Sequence, residues 1–310
     1  MKYKILPILV LAMALAGCDR ARDLYLLTSH EITLSDASPV DTTVTEVTAH
    51  SDSQGRAANI LSAFYGLDDD LPPLSGFAIC ENAGRKDGMP VVFSHTIDFE
   101  TMQAGDFKVT TKSGKVGEIL CVTLAPADDL DEYRTVLVVG HYGSIDDQPV
   151  RVEIVGNLLS QDNSLNFKGL SAEVTPLEAG PSLVLAQIVP AEQWDLEKTA
   201  SPLPFGGGSG CPINTQQVLR VTWDGGVTKP GGAEIDDKER QLYQVAVMQE
   251  NGHKTEISPF ALGDLGDGDN NHELCMDVVG TPVSVSFPAG YLTDPREDLN
   301  PDTAVEITGS

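Results

Sequence analysis

The sequence predicts an all-β chain of two tandem β-sandwich domains, with a short helix ahead of the first. Three observations predict this class. The segments PVVFSHTID, DFKVTTKSG, EILCVTLAP, RTVLVVG and VRVEIVG, and later VLRVTW, LYQVAVM, TEISPF, ELCMDVVG and VSVSF, have strand length and are rich in β-branched and aromatic residues. Turn chemistry separates them, at Asp87-Gly88, Ser113-Gly114 and Asp146-Asp147-Gln148-Pro149. Strands do not alternate with long helical patterns, which argues against a parallel α/β sheet.

The chain opens on MKYKILPILVLAMALAGCDR. Lys2 and Lys4 precede an apolar run from Ile5 to Leu15, too short for a membrane-spanning helix of roughly 20 residues but suited to a signal-peptide core. The run ends in Leu15-Ala16-Gly17-Cys18, which resembles the lipobox of bacterial lipoproteins. The resemblance implies a signal peptide at 1–17, acylation of Cys18 and a mature chain beginning there. Two or three acyl chains at about 0.8 kcal/mol per buried CH₂ form a durable membrane anchor. An Asp after the lipidated cysteine, here Asp19, favours the inner membrane in enterobacteria; the choice of membrane stays open.

The whole chain carries 20 basic and 46 acidic residues, a net charge of −26. Removing Lys2 and Lys4 with the leader leaves 18 against 46, or −28. Such a field repels nucleic acid and anionic lipid surfaces, and suits a solvated surface, cation binding or both. Apart from Cys18 there are four cysteines, Cys80, Cys121, Cys211 and Cys275, none in C-x-x-C spacing. An even number in an exported chain reads as two disulfides with three possible connectivities, of which Cys80–Cys121 with Cys211–Cys275 is favoured because it places one closure in each half.

Residues 18–55 are rich in Ser, Thr and Asp and read as a flexible tether. Ile60, Leu61, Phe64 and Leu67 then fall at helical spacing. The strand-rich text divides into a first domain at 56–160, a connecting segment at 161–210 that contains the flexible stretch Pro202 to Gly210, and a second domain at 211–310. An internal duplication is expected on two grounds. VLVVG and CMDVVG end at Gly140 and Gly280, 140 residues apart, and each follows an acidic loop, at 124–134 and 262–273. Within the first half, Met89 to Met102 (MPVVFSHTIDFETM) followed by Asp106-Phe107-Lys108-Val109 is similar to bacterial Ig-like domains of the surface-layer type. That resemblance covers residues 74–157. It implies an Ig-like sandwich with an adhesive, spacer or binding role and transfers no catalytic residue.

The sharpest chemical feature is GDLGDGDNNHELCMD at 263–277. Asp264, Asp267, Asp269, Asn270, Asn271 and Glu273 crowd oxygen donors together, with Gly266 and Gly268 permitting tight turns. Calcium takes six to eight oxygens in flexible geometry, so Asp264, Asp267, Asp269, Asn271 and Glu273 are candidate ligands. The spacing is not that of an EF-hand, and a solvated acidic turn is the competing reading. The loop holding Asp128, Asp129, Asp131 and Glu132 lacks glycine and reads as an exposed turn. His95, His141, His253 and His272 have no nucleophile or metal motif around them. Trp223 is expected in the core, while exposed Trp194 or Tyr291 would offer a sugar-binding platform.

These features favour a lipid-anchored envelope protein with a binding or structural role, facing the periplasm or the exterior, with calcium as a candidate cofactor and a protein or carbohydrate as candidate partner. No nucleic-acid partner is expected. The alternative is an envelope enzyme or small-ligand binder with its site between the two domains. A deep cleft lined by His272, Asp267 and another histidine would favour it.

Overall fold

A computed structural model describes residues 41–73, 75–129, 132–201, 207–250 and 252–308. The expected signal peptide, Cys18, Asp19 and the first part of the expected tether lie outside the described residues, as do Asp131 and residues 202–206. The body that holds the described residues is a single compact unit and is almost entirely β.

Seven strands build the first module: β1 (Ile60–Ala63), β2 (Asp87–Phe93), β3 (Phe107–Thr111), β4 (Glu118–Thr123), β5 (Thr135–His141), β6 (Pro149–Ile154) and β7 (Ser171–Glu173). One sheet has the order β1-β2-β5-β4 and the facing one β3-β6-β7. This is the strand order of a constant-type immunoglobulin sandwich. Alternating inward residues of β3, Phe107 and Val109, meet Val91, Phe93, Val136 and Val138 of the opposite sheet in one core. Phe93 and Phe167 anchor that core edge to face at 4.9 Å. Tyr142, fully buried just after β5, donates its hydroxyl to the Val138 carbonyl at 2.9 Å, as a tyrosine corner does.

The second module has eight strands: β8 (Leu183–Val189), β9 (Gln217–Trp223), β10 (Gln244–Met248), β11 (Lys254–Ile257), β12 (Ala261–Gly263), β13 (Asn271–Met276), β14 (Thr281–Phe287) and β15 (Thr303–Thr308). They run β11-β10-β14-β15-β8-β9-β13-β12. Only two residue pairs, Ile307↔Ala186 and Thr308↔Gln187, join β15 to β8 in parallel, so the sheet curls there into two four-stranded layers. Trp223, Tyr243, Leu274 and Phe287 fill the space between the layers. Trp223 is fully buried, as expected from its strand, and its ring meets Phe287 at 5.6 Å.

The two modules repeat one topology. The layers β1-β2-β5-β4 and β8-β9-β13-β12 correspond strand for strand, and so do β3-β6-β7 and β10-β14-β15, with β11 added to the second. The parallel closure recurs too: a single Phe64↔Thr175 bridge in the first module stands where β8 pairs with β15 in the second. The repeat does not follow the 140-residue offset read from VLVVG and CMDVVG. Val136 to Gly140 lie inside β5, whereas Met276 ends β13 and residues 277–280 form the turn after it.

Three expectations are corrected. The helix expected from Ile60, Leu61, Phe64 and Leu67 is strand β1, paired through Ile60↔Phe93 and Ala63↔Val91 with a bulge between. So short a helix is marginal without tertiary support, whereas the open edge of β2 satisfies the same backbone groups. Residues 41–50 do not hang free as tether. Asp41 accepts from the backbone and side-chain amides of Asn157, and the Val47 and Ala49 carbonyls accept from Asn166. The segment 161–210 supplies β7, which closes the first sandwich, and β8, which opens the second.

Both disulfides have the expected pairing, Cys80–Cys121 and Cys211–Cys275. Each ties the connection between a module's first two strands to that module's four-stranded layer. They land on neighbouring strands: Cys121 lies on β4 opposite Val139, and Cys275 lies on β13 opposite Ala261.

Candidate metal centre

The β4–β5 loop of the first module and the β12–β13 loop of the second are equivalent in the repeat, and they meet. In the second loop, Asp264, Gly266 and Gly268 adopt left-handed φ values of 59°, 100° and 77°. Glycine takes this conformation without Cβ strain, and Asp tolerates it. The resulting reversals bring the carboxylates of Asp264, Asp267 and Asp269 to one side. From the other module come Asp129 and Glu132. Ligand oxygens of Glu132, Asp264 and Asp269 all lie within 4.8 Å of one another, and so do those of Asp129, Asp264 and Asp267.

Most of this cluster is withdrawn from water. Glu132 is 2 % exposed, and Asp264 and Asp269 are each 5 % exposed. Burial first, then the neighbouring charges of Glu132, Asp269 and Asp267, push Asp264 well above the usual carboxylate range. Asp269 is pushed the same way by burial and by Glu132 and Asp267. Burial raises Glu132 to about 7 against the opposing pull of Arg220, and Asp128 to about 6. Such groups need partners. Asp269 has two, the backbone and side-chain amides of Asn271 at 2.8 and 2.7 Å. Glu132 Oε2 and Asp264 Oδ2, one from each module, are buried without a hydrogen-bond donor.

Two cations flank the cluster. Arg220 on β9 lies 3.1 Å from Glu132 Oε1 through Nε and donates to Glu273 Oε1 at 3.2 Å, linking the modules. Lys198 donates to Asp129 Oδ2 at 2.9 Å. Overhead runs the Gly207–Gly210 backbone. A Cβ at Gly207 would stand 2.6 Å from Asp129 Oδ1, and one at Gly208 would stand 2.6 Å from Asp264 Oδ1 and 2.8 Å from Asp267 Oδ2. Glycine is therefore required here by close approach to carboxylates. The Ser209 carbonyl accepts from the Asp264 amide, and Cys211–Cys275 fixes both segments to the sheet.

The five expected ligands separate into two groups. Asp264, Asp267 and Asp269 converge on the cluster. Asn271 stands behind it, bonding Asp269 and accepting from Thr222 Oγ1 at 2.8 Å. Glu273 pairs with Arg220 across β9 and β13. The alternation of β13 sends Asn271 and Glu273 to one face and His272, Leu274 and Met276 to the other. His272 is thus in the sandwich core, 2.8 Å from the Tyr243 hydroxyl through Nδ1, with its pKa pushed down to about 3 by burial. It does not line a cleft with Asp267. The expectation that the first acidic loop is an exposed turn is corrected as well, because Glu132 is buried and Asp129 half-buried against the second module. Asp129, Glu132, Lys198, Arg220 and Gly207–Gly208 come from remote stretches of chain. The one signal that could have found them was the pairing of two acidic loops at equivalent places in a repeat.

The other histidines lie elsewhere. His95 Nδ1 is 2.9 Å from Ser94 Oγ. His141 sits between Asp69, at 3.2 Å, and Lys86 Nζ, at 2.6 Å. Its grouping with Asp69 and Asp87 is a poor cation site, because the ammonium already occupies one ring nitrogen and Asp87 accepts the amides of Asp69, Tyr142 and Gly143.

No protein-family model and no curated protein matches the chain. Among solved structures it is similar to the N-terminal part of the bacterial S-layer protein SbsC, with 13% identity and a TM-score of 0.26, over 81% of this chain and 44% of that one. It is also similar to domains 1–6 of surface layer protein SbsC, with 13% identity and a TM-score of 0.28, over 82% of this chain and 41% of that one. The chain spans less than half the length of either, and likeness at these scores assigns neither residues nor activity.

Removing the arginine between the modules should be expensive. Arg220→Met leaves Glu132 and Glu273 buried without their cation, and breaking such a pair destabilises by about 3–5 kcal/mol. Urea unfolding of the full chain at neutral pH checks this. A loss below about 1 kcal/mol would show that both carboxyls are held neutral without Arg220.

Proposed function

We propose that this chain is an exported, lipid-anchored β-sandwich protein of the cell envelope with a binding or structural role, in which a hard divalent cation, calcium, clamps its two modules together. The observation that carries the cation is the pair of buried, donorless oxygens, Glu132 Oε2 and Asp264 Oδ2, set among further carboxylates from both modules.

A proton shared between Glu132 and Asp264 would satisfy that pair alone. It would leave unexplained why Asp129, Asp267 and Asp269 converge on the same few ångströms. Cation binding accounts for all of them, since each belongs to one of the two triads. Oxygens bound to calcium at 2.3–2.6 Å lie at most about 4.6–5.2 Å apart, which accommodates the 4.8 Å bound on each triad. Magnesium, at 2.0–2.1 Å, keeps several waters and suits fewer carboxylates. The ion would act mechanically here, replacing like-charge repulsion between the two loops with shared coordination.

Placement in the envelope is supported by the Leu15–Cys18 lipobox pattern, two disulfides and a strongly acidic surface. Among the described residues no helix is long and apolar enough to cross a membrane; the lipobox pattern is what supports attachment through Cys18 as the proposed route. The alternative of an enzyme or small-ligand site between the domains shares the location of the carboxylate centre, but its distinguishing residue, His272, faces the opposite side of β13.

Thermal unfolding of the full chain tests the clamp. Calcium at 100 times its Kd should stabilise by about 2.7 kcal/mol relative to chelator, and magnesium by less. No shift in melting temperature at millimolar calcium would remove the cation from this reading. The anchor has its own test: radiolabelled palmitate fed to expressing bacteria should enter the wild-type chain and not Cys18→Ala. Equal labelling, or none in either, would contradict lipidation at Cys18.

A further inference from the structure

We propose that the centre holds two cations bridged by the Asp264 carboxylate, an inner ion among Glu132, Asp264 and Asp269 and an outer ion among Asp129, Asp264 and Asp267. This rests on the cation reading above and fixes its stoichiometry. The two oxygen triads share Asp264 and no other residue. The two oxygens of Asp264 have different surroundings. Oδ1 lies with Asp267 Oδ2 beneath Gly208, next to Asp129 beneath Gly207, on the outer side. Oδ2 is buried and has no donor, as has Glu132 Oε2 of the inner triad. One carboxylate therefore presents one oxygen to each group.

The charge count agrees. The five carboxylates of the triads, with Asp128 and Glu273 beside them, carry −7 when ionised, and Lys198 and Arg220 return +2. The remaining −5 becomes −3 with one divalent ion and −1 with two. Since most of the cluster is buried, solvent relieves little of the residual charge. The inner triad, assembled from buried residues of both modules, is the tighter site. The outer one includes Asp129, whose side chain is 23 % exposed, and exchanges more readily.

The test is equilibrium dialysis of the full chain against calcium at about 0.15 M salt, where loose surface binding is screened, with bound metal counted by atomic emission. The wild type should saturate at two ions per chain and Asp129→Asn at one. Asp264→Asn should hold none. Asp129 is only half-buried and Asn keeps its size and an acceptor oxygen, so its variant keeps the fold, and circular dichroism verifies this. Asp146→Asn, remote from the centre, should still hold two. One ion in the wild type would overturn the bridged pair and leave the single-ion clamp standing, whereas none would remove both. Two ions in Asp129→Asn, or fewer than two in Asp146→Asn, would place the second ion elsewhere and overturn the assignment.

Discussion

Crowding five carboxylates, four of them buried and Asp129 half-buried, where two β modules meet is the constraint around which the rest of this protein is arranged. Like charges a few ångströms apart and mostly withdrawn from solvent repel strongly. Several otherwise separate features answer that repulsion. Arg220 reaches from β9 to Glu132 in the other module, and Lys198 comes in over Asp129. Asn271 uses both its backbone and its side chain on Asp269. The glycines at 207 and 208 let a strand of backbone lie directly on the carboxylates. Each device is local, and together they leave two oxygens without a donor.

The repeat explains how such a site arises. Both modules place the same hairpin loop, between their fourth and fifth strands in immunoglobulin order, toward the junction. In the first module that loop contributes Asp129 and Glu132; in the second, glycines compress it so that three aspartates face one way. The disulfides obey the same logic with a one-strand difference. Cys275 sits on β13 beside Glu273, so the second bridge stiffens the wall of the centre, while Cys80–Cys121 stiffens the sheet that carries the first loop.

Much of the fold was readable in the sequence because its central strands are dense in Val, Ile, Thr and Phe. The strands that escaped notice, β1, β7, β8, β12 and β15, are edges, closures or short pieces whose identity depends on a partner. Ile60–Ala63 shows why: its spacing suits a helix as well as a strand, and only the free edge of β2 decides. Three of the candidate ligands, Asp264, Asp267 and Asp269, were readable because one glycine-rich loop gathers them. Glu132 and Asp129 were not, since nothing local distinguishes a buried glutamate from a solvated one. Their role exists only once the modules dock.

The most direct test of a cation centre between the modules is terbium luminescence sensitised by Trp223, whose backbone carbonyl accepts from Asn270 Nδ2 at 2.6 Å in the loop that carries the aspartates. The account predicts emission on indole excitation that calcium displaces and that Asp264→Asn lacks. Emission absent in the wild type, or unchanged in Asp264→Asn, would contradict it.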